Sequence, residues 1–193
     1  MKVFVAGATG VLGRPTLHAL VEAGHEVRGT ARGEEKGQLV RSLGAEPVAV
    51  DLFDAAAVKA AVAGSEAVLH FATKIPSITR MRWKGAWREN DRFRTEGSRI
   101  LVDAALAVGA SVYVQESISF VYGGGGDEWL TEDAPVSVTW FSVQSMMNGE
   151  KETSRFSADG GRGVSLRFAG FYAPYAQSTL DTIGMARRRL LPV

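Results

Sequence analysis

The sequence predicts an α/β fold, a doubly wound parallel sheet with helices on both faces in three layers. Short apolar segments alternate with segments of helical length along the 193-residue chain, which is the pattern of repeated strand–helix units. The apolar segments are largely continuous, as expected for strands that are buried on both faces. The first of them, Lys2 to Ala6, leads through a glycine-rich turn into a helix. Together these observations predict one well-buried domain.

The elements follow one another at short intervals, and their boundaries come from hydrophobic periodicity and from glycine or polar breaks. The predicted strands cover residues 2–6, 26–30, 46–50, 67–71, 110–115 and 163–168. The predicted helices cover residues 14–23, 34–43, 55–63, 86–108, 139–158 and 181–191.

Composition limits the classes of function. The chain contains no cysteine, which excludes disulfides, a thiol nucleophile and thiolate metal sites. A net charge of +1 gives no electrostatic reason for nucleic acid or an anionic membrane as a partner. The first strand begins at residue 2, and no apolar run approaches the ~18 residues of a membrane span. We therefore expect a cytoplasmic protein without a metal site.

The first turn carries glycines at three-residue intervals, Gly7, Gly10 and Gly13. Glycine lets a turn tighten and lets the backbone approach a phosphate, and the helix that follows presents its N-terminus to the anion. The alternative is a tight turn without a ligand. Because a strand and a helix flank the turn, the sequence favours a dinucleotide site. The predicted contacts in this turn are Gly7, Thr9, Gly10, Val11, Leu12 and Gly13.

The end of the second strand bears on which nicotinamide cofactor is bound. An acidic residue there would bind a ribose 2′-hydroxyl, whereas an arginine accommodates a 2′-phosphate. Arg32 follows this strand, and no acidic residue occurs before Glu34. Arg32, with Arg14 as a second cation, favours NADP, although NAD stays possible. The alternative is that Arg32 is a solvated loop charge.

The ends of the third and fourth strands supply further candidates. Asp51, followed by Leu52, either accepts a hydrogen bond from the adenine amino group or caps the next helix, for which Asp54 is the better cap. His70 is interpreted as a satisfied histidine within the sheet. The predicted contacts at these two strand ends are Asp51, Leu52, Phe71, Ala72 and Thr73.

Residues 74–99 are the most basic part of the chain, with eight basic and three acidic side chains. A nucleic-acid face would need a recognition motif, and none accompanies this segment. We expect a loop near the cofactor phosphates that runs into the long helix.

Hydroxyl groups follow the fifth strand, where ligand chemistry is expected in such a sheet. The candidates are Ser117, Ser119 and Tyr122. The glycine run at 123–126 is not followed by a helix and is flanked by acidic residues, so we interpret it as a loop or lid on the substrate side.

Taken in order, the motifs resemble the NAD-dependent epimerase/dehydratase branch of the short-chain dehydrogenase/reductase superfamily. The resemblance implies a Rossmann domain over residues 1–175, and residues 176–193 as the start of a C-terminal substrate lobe that is mostly missing. It also implies hydride transfer through NAD(P), and it adds Asn90 and Ser117 to the cofactor contacts. The motifs that carry it are Gly7 to Gly13, Asp51-Leu52, His70 to Ala72, Asn90 with Gly97, Ser117 to Gly123, and Arg167 to Pro174.

The chain departs from this family where proton transfer is expected. The family places a tyrosine four residues before a lysine on one helix, and no lysine in this sequence has a tyrosine at that distance. Aligned on Ser145 and Glu150, the tyrosine falls on Ser142 and the lysine on Met146. The position of the usual serine or threonine after strand five is taken by Ile118.

Two hypotheses follow. The first is an NAD(P)-dependent oxidoreductase or epimerase-like enzyme with an atypical acid/base group and a carbonyl or sugar-nucleotide substrate. The second is an NAD(P)-binding sensor or regulatory protein with little turnover. Apolar stripes on helices 86–108 and 139–158 are also compatible with a homodimer.

Overall fold

A six-stranded parallel sheet organises the molecule. The computed structural model describes residues 1–123, 126–127, 129–137 and 143–190. The strand order is β3-β2-β1-β4-β5-β6, and every pairing between neighbours is parallel. The doubly wound sheet predicted from the sequence is therefore confirmed. The strands are β1 (Lys2–Ala6), β2 (Glu26–Thr30), β3 (Glu46–Val48), β4 (Ala67–His70), β5 (Val112–Ile118) and β6 (Arg162–Phe168).

Helices connect the strands and cover both faces of the sheet. Neighbouring residues of β1 point to opposite faces, so that Phe4 belongs to one apolar cluster and Val5 to the other. The first cluster includes residues of α3 and α5, and the second includes residues of α1 and α2. The helices are α1 (Gly13–Glu22), α2 (Glu34–Ser42), α3 (Ala55–Ala61), α4 (Arg88–Arg92), α5 (Ser98–Ala107), α6 (Val143–Ala158) and α7 (Gln177–Arg187).

Three predicted elements differ substantially from the structure. The helix expected over 86–108 consists of a 3-10 turn at Lys84–Trp87, α4, a π-helical turn at Phe93–Gly97 and α5. Strand β5 continues to Ile118 instead of ending at Gln115, because β6 pairs with it as far as Phe168. The last helix begins and ends about one turn earlier than expected. Residues 139–142 of the predicted sixth helix lie outside the described residues.

Candidate functional site

The glycine turn after β1 is packed too closely to accept side chains. Gly7 has a φ of +85°, and a Cβ atom there would lie 2.5 Å from the backbone nitrogen of Ala72. A Cβ at Gly13 would collide with the carbonyl oxygen of Gly7. The Gly7 amide donates a hydrogen bond of 2.9 Å to Oγ1 of Thr30. The turn is thus fixed between β2 and the end of β4.

Helix α1 begins directly after this turn without a side-chain cap. Leu12 occupies the N-cap position and has no side chain that could accept a hydrogen bond, and the first turn contains no acidic residue. The first amide groups of a helix carry partial positive charge and bind anions when no side chain satisfies them. The Arg14 amide is already bound by the Gly10 carbonyl oxygen and Pro15 has no amide hydrogen, so the amides before Arg14 are those left for a phosphate.

A cleft of about 400 Å³ opens over the turn at the carboxyl ends of β1, β2 and β4. It brings together nine of the predicted cofactor contacts. Five others lie outside its lining: Val11, Leu12 and Gly13 in the turn itself, and Asn90 and Ser117. The lining residues are Gly7, Thr9, Gly10, Arg14, Thr30, Arg32, Lys36, Val50, Asp51, Leu52, Phe71, Ala72, Thr73, Lys74 and Phe93.

Four cationic side chains line this cleft: Arg14, Arg32, Lys36 and Lys74. None of them forms an ion pair with another described residue. The sequence pointed to the two arginines and to the segment that begins at Lys74, but not to Lys36. The feature of the sequence that indicates Lys36 is its position in the first turn of α2, directly after the loop that carries Arg32. The cleft therefore presents unpaired positive charge.

The two aspartates after β3 have different roles. Asp54 caps α3, because its Oδ1 accepts hydrogen bonds of 3.0 Å from the amides of Ala56 and Ala57. Asp51 instead lines the cleft and accepts one hydrogen bond of 3.0 Å from the Phe53 amide. The interpretation of Asp54 as the cap is confirmed, and the alternative of Asp51 as the cap is wrong.

Asn90 stabilises a backbone segment that lines the cleft. Its side chain is fully buried, and its Oδ1 accepts a hydrogen bond of 3.1 Å from the backbone amide of Lys74. Its Nδ2 has no hydrogen-bond partner among the described residues. Asn90 thus fixes the backbone segment that follows β4, but the Asn90 side chain itself does not line the cleft.

His70 is a neutral structural residue, as the sequence predicted. Nε2 lies 3.1 Å from the carbonyl oxygen of Phe93, and Nδ1 lies 3.4 Å from the amide of Ala72. This network assigns the proton to Nε2 and the acceptor role to Nδ1. Burial lowers the pKa of His70 to about 4, because desolvation disfavours the imidazolium.

A polar network lies at the carboxyl end of β5 and β6. Glu150 of α6 accepts hydrogen bonds from Arg167 of β6 at 2.9 and 2.7 Å, and one of 2.6 Å from the Ser117 hydroxyl. Burial alone would raise the pKa of Glu150, but these hydrogen bonds and the Arg167 charge hold it below its ordinary value. Ser117 is 1% exposed and lines neither the cofactor cleft nor the cavity beside Tyr122. Because β5 continues past its predicted end, Ser117 is a buried strand residue instead of a residue in the loop after the strand.

Tyr122 is the predicted catalytic candidate that faces a cavity. Its oxygen accepts a hydrogen bond of 2.6 Å from Nη1 of Arg167, and its hydroxyl is 3.5 Å from the carbonyl oxygen of Glu132. The cavity has a volume of about 520 Å³ and is lined by Tyr122, Leu130, Thr131, Glu132, Ser165, Leu166, Arg167 and Phe168.

The other positions of the predicted proton-transfer site are Ser119, Met146 and Ser142. Ser119 is half-buried in the 3-10 turn that follows β5. Met146, which aligns with the family lysine, packs in a small apolar cluster with Val121 and Val143. Ser142, which aligns with the tyrosine, lies outside the described residues, as do Gly124 and Gly125 of the predicted lid.

A buried ion pair connects the π-helical turn to β5. Nη2 of Arg94 lies 3.0 and 2.7 Å from the two carboxylate oxygens of Glu116, and Nη1 donates to the Glu116 carbonyl. Burial raises the pKa of Glu116, and Arg94 opposes this effect. Sequence reasoning missed this pair because its members are 22 residues apart and lie on different elements.

The described part of the chain contains neither a membrane-spanning helix nor a cluster of metal-binding side chains. No helix among these residues is long and apolar enough to cross a membrane. No group of three or more histidine, aspartate or glutamate side chains within them is placed to hold a metal ion.

Comparison with known proteins shows a family and a similar curated protein. A model of the NAD-dependent epimerase/dehydratase family matches residues 3–190. A 3-diazoavenalumate denitrifying reductase from a Streptomyces species is 36% identical over 182 residues, which cover 90% of this chain and 57% of the reductase. The chain thus spans little more than half of this relative.

Solved structures share the fold. MoeE5 in complex with UDP-glucose and NAD superposes with a TM-score of 0.78 at 22% identity, over 100% of this chain and 63% of MoeE5. A short-chain dehydrogenase/reductase superfamily protein from Agrobacterium tumefaciens with bound NAD has a TM-score of 0.70 at 30% identity, over 87% of this chain and 49% of that protein.

Proposed function

We propose that this chain, which belongs to the NAD-dependent epimerase/dehydratase family, is an NADP-preferring oxidoreductase that acts on a carbonyl substrate. The observation that carries the cofactor preference is the set of unpaired cations around the glycine turn. Arg32 stands at the end of β2, the position that selects between a 2′-hydroxyl and a 2′-phosphate. Lys36 of α2 is a second cation for the 2′-phosphate in the same cleft, and no acidic side chain follows β2 before Glu34.

The described residues fit a dinucleotide. Gly7 and Gly13 leave no volume for side chains where a pyrophosphate approaches the turn, and the uncapped N-terminus of α1 supplies amide donors. The free carboxylate oxygen of Asp51 is available to the adenine amino group. The backbone from Phe71 to Thr73 forms the wall along which the ribose would lie. When bound, the cofactor supplies or accepts the hydride.

Tyr122 is our candidate for the proton donor, with Ser119 as a polarising group beside it. Arg167 donates to the phenol oxygen, so the phenol proton remains available to another acceptor. Its present acceptor, the Glu132 carbonyl oxygen at 3.5 Å, is more distant than in an ordinary hydrogen bond. A substrate oxygen in the adjacent cavity would replace it. The guanidinium then stands beside the oxygen on which negative charge develops.

Reduction is favoured by the name of the Streptomyces relative, a denitrifying reductase of a diazo compound, at 36% identity. The carbonyl substrate is our own assignment, because the Tyr122 hydroxyl could donate a proton to a carbonyl oxygen. A sugar nucleotide is the second substrate class, since MoeE5 was solved with UDP-glucose. The alternative function is an NADP-binding sensor with little turnover. It is favoured by Met146, which places an apolar side chain where the family has its lysine.

Hydride transfer separates the two functions. Oxidation of NADPH is followed at 340 nm against panels of ketones, quinones and sugar nucleotides, with a binding titration on the same protein. Turnover of at least one carbonyl compound, abolished by heat denaturation, is the expected result. Tight NADPH binding with no turnover on any panel member would support the sensor and overturn the enzyme.

A further inference from the structure

The segment after β6 returns to the glycine turn and touches it through one aromatic side chain. The Tyr175 hydroxyl donates a hydrogen bond of 3.4 Å to the carbonyl oxygen of Val11, 164 residues away in sequence. The guanidinium carbon of Arg14 lies 4.3 Å from the centroid of the Tyr175 ring, within the range of a cation–π interaction. Tyr175 therefore contacts both the turn and the first cation of α1.

Arg14 is held in a defined orientation by these contacts. Its Nε donates a hydrogen bond of 3.0 Å to the carbonyl oxygen of Thr9, and its guanidinium stacks on Tyr175. Its terminal nitrogens have no partner among the residues that the structure describes. Since Arg14 also lines the cleft, its free donors are available to an anion at the N-terminus of α1.

The position of Tyr175 is itself fixed. Ala173 and Ala176 on either side of it are buried, and the Ala176 amide donates to the Ala173 carbonyl oxygen at 3.0 Å. The Ala173 amide is bound in turn by Oγ1 of Thr179 in α7, at 3.1 Å. This compact turn holds the Tyr175 ring against Arg14, whereas nearby Tyr172 is 87% exposed and its side chain forms no hydrogen bond or ring contact with the described residues.

We propose that Tyr175 is a positioning residue for the cofactor pyrophosphate, and that it acts by holding the Arg14 guanidinium over the N-terminus of α1. The proposal rests on the proposed function, because it requires a dinucleotide in the cleft. Tyr175 would not touch the adenosine 2′-phosphate, which the proposed function assigns to Arg32 and Lys36. Its effect is therefore specific to ligands that contain the pyrophosphate.

The test compares dissociation constants of the full chain for NADPH and for 2′-AMP, which carries the 2′-phosphate and lacks the pyrophosphate. Tyr175→Ala is expected to weaken NADPH binding about threefold to tenfold, the range of one cation–π contact, and to leave 2′-AMP binding unchanged. Tyr175→Phe keeps the ring and should stay within about twofold of the wild type. Tyr172→Ala is the matched control and should change neither constant.

A double-mutant cycle with Arg14→Gln checks that Tyr175 acts through Arg14. In the Arg14→Gln background, Tyr175→Ala should have no further effect on NADPH binding, because the partner is already gone. Thermal unfolding of each variant verifies that it is folded.

The outcomes distinguish the two proposals. Failure of the wild type to bind NADPH contradicts the proposed function. If the wild type binds NADPH and Tyr175→Ala binds it equally well, only the role of Tyr175 is overturned. Equal losses for NADPH and 2′-AMP, or an undiminished effect of Tyr175→Ala in the Arg14→Gln background, would reduce Tyr175 to a structural residue and also overturn its positioning role.

Discussion

The Arg167 guanidinium donates a hydrogen bond of 2.6 Å to the phenol oxygen of Tyr122. The same arginine is bound on its other side by both carboxylate oxygens of Glu150. The pair combines a phenol with a cation. Tyr122 follows the 3-10 turn after β5, and Arg167 belongs to β6. The two residues are 45 positions apart, so no local motif reveals them.

Replacing Tyr122 by phenylalanine tests whether it transfers a proton. General acid catalysis is worth about 10²- to 10⁴-fold, so Tyr122→Phe should lower kcat by at least about a hundredfold. The NADPH dissociation constant should stay the same, because Tyr122 does not line the cofactor cleft. Steady-state kinetics and a binding titration measure the two quantities. The exposed Tyr172→Phe is the control, and equal kcat values in both variants would exclude Tyr122 as the proton donor.

Breaking the buried ion pair should cost far more stability than breaking an exposed one. Arg94 is 2% exposed, and removal of one partner from a buried pair typically costs about 3–5 kcal/mol because the other charge is left unpaired. We expect a loss of this size for Glu116→Gln in urea unfolding. Glu96→Gln breaks the exposed Arg92–Glu96 pair and should change stability much less. Similar losses in the two variants would contradict the assigned burial of the Arg94–Glu116 pair.

His70 should make stability fall as the pH decreases toward 4. The folded protein holds the His70 pKa at about 4, whereas the unfolded chain has an ordinary value near 6.5. His70 therefore makes its full contribution to the free energy of unfolding above the unfolded pKa. This contribution, on the order of 3 kcal/mol, is lost as the pH falls through the folded pKa.

The measurement is the free energy of unfolding between pH 7 and pH 4. His70→Asn should show a shallower slope than the wild type across this window, while the exposed His18→Gln should retain the wild-type slope. A wild-type slope in His70→Asn would show that other groups carry the acid sensitivity. Loss of the Glu150 contribution follows at lower pH, because its folded pKa lies below the ordinary carboxyl value.

Arg32 should determine the preference for the phosphorylated cofactor. Arg32→Asp removes the cation from the 2′-phosphate and supplies an acceptor for a 2′-hydroxyl. A hydrogen bond to a charged group is worth about 1.5–3 kcal/mol, so NADPH binding should weaken about tenfold or more, while NADH binding is unchanged or tighter. Arg41→Gln, on α2 outside the cleft, is the control. Equal weakening of both cofactors by Arg32→Asp would indicate a loss of the fold rather than of specificity.

The sequence predicts the features that depend on neighbouring residues. It does not predict the contacts that are assembled from distant elements. The glycine turn, Asp54 as a cap and the alternation of strands and helices depend on residues that are close in the chain. The extent of β5 depends on its pairing with β6, so Ser117 was placed in a loop when it is a buried strand residue. Lys36 reaches the cleft only through the packing of α2, and Tyr175 reaches the glycine turn only through the packing of the segment after β6.

The most direct test of the central claim is a calorimetric titration of the wild-type chain with NADPH and with NADH. The unpaired cations around the glycine turn predict that NADPH binds about tenfold or more tightly than NADH. The preference should shrink as salt is added, because the charges lie in an open cleft. Binding of NADH more tightly than NADPH, or binding of neither dinucleotide, would contradict the account.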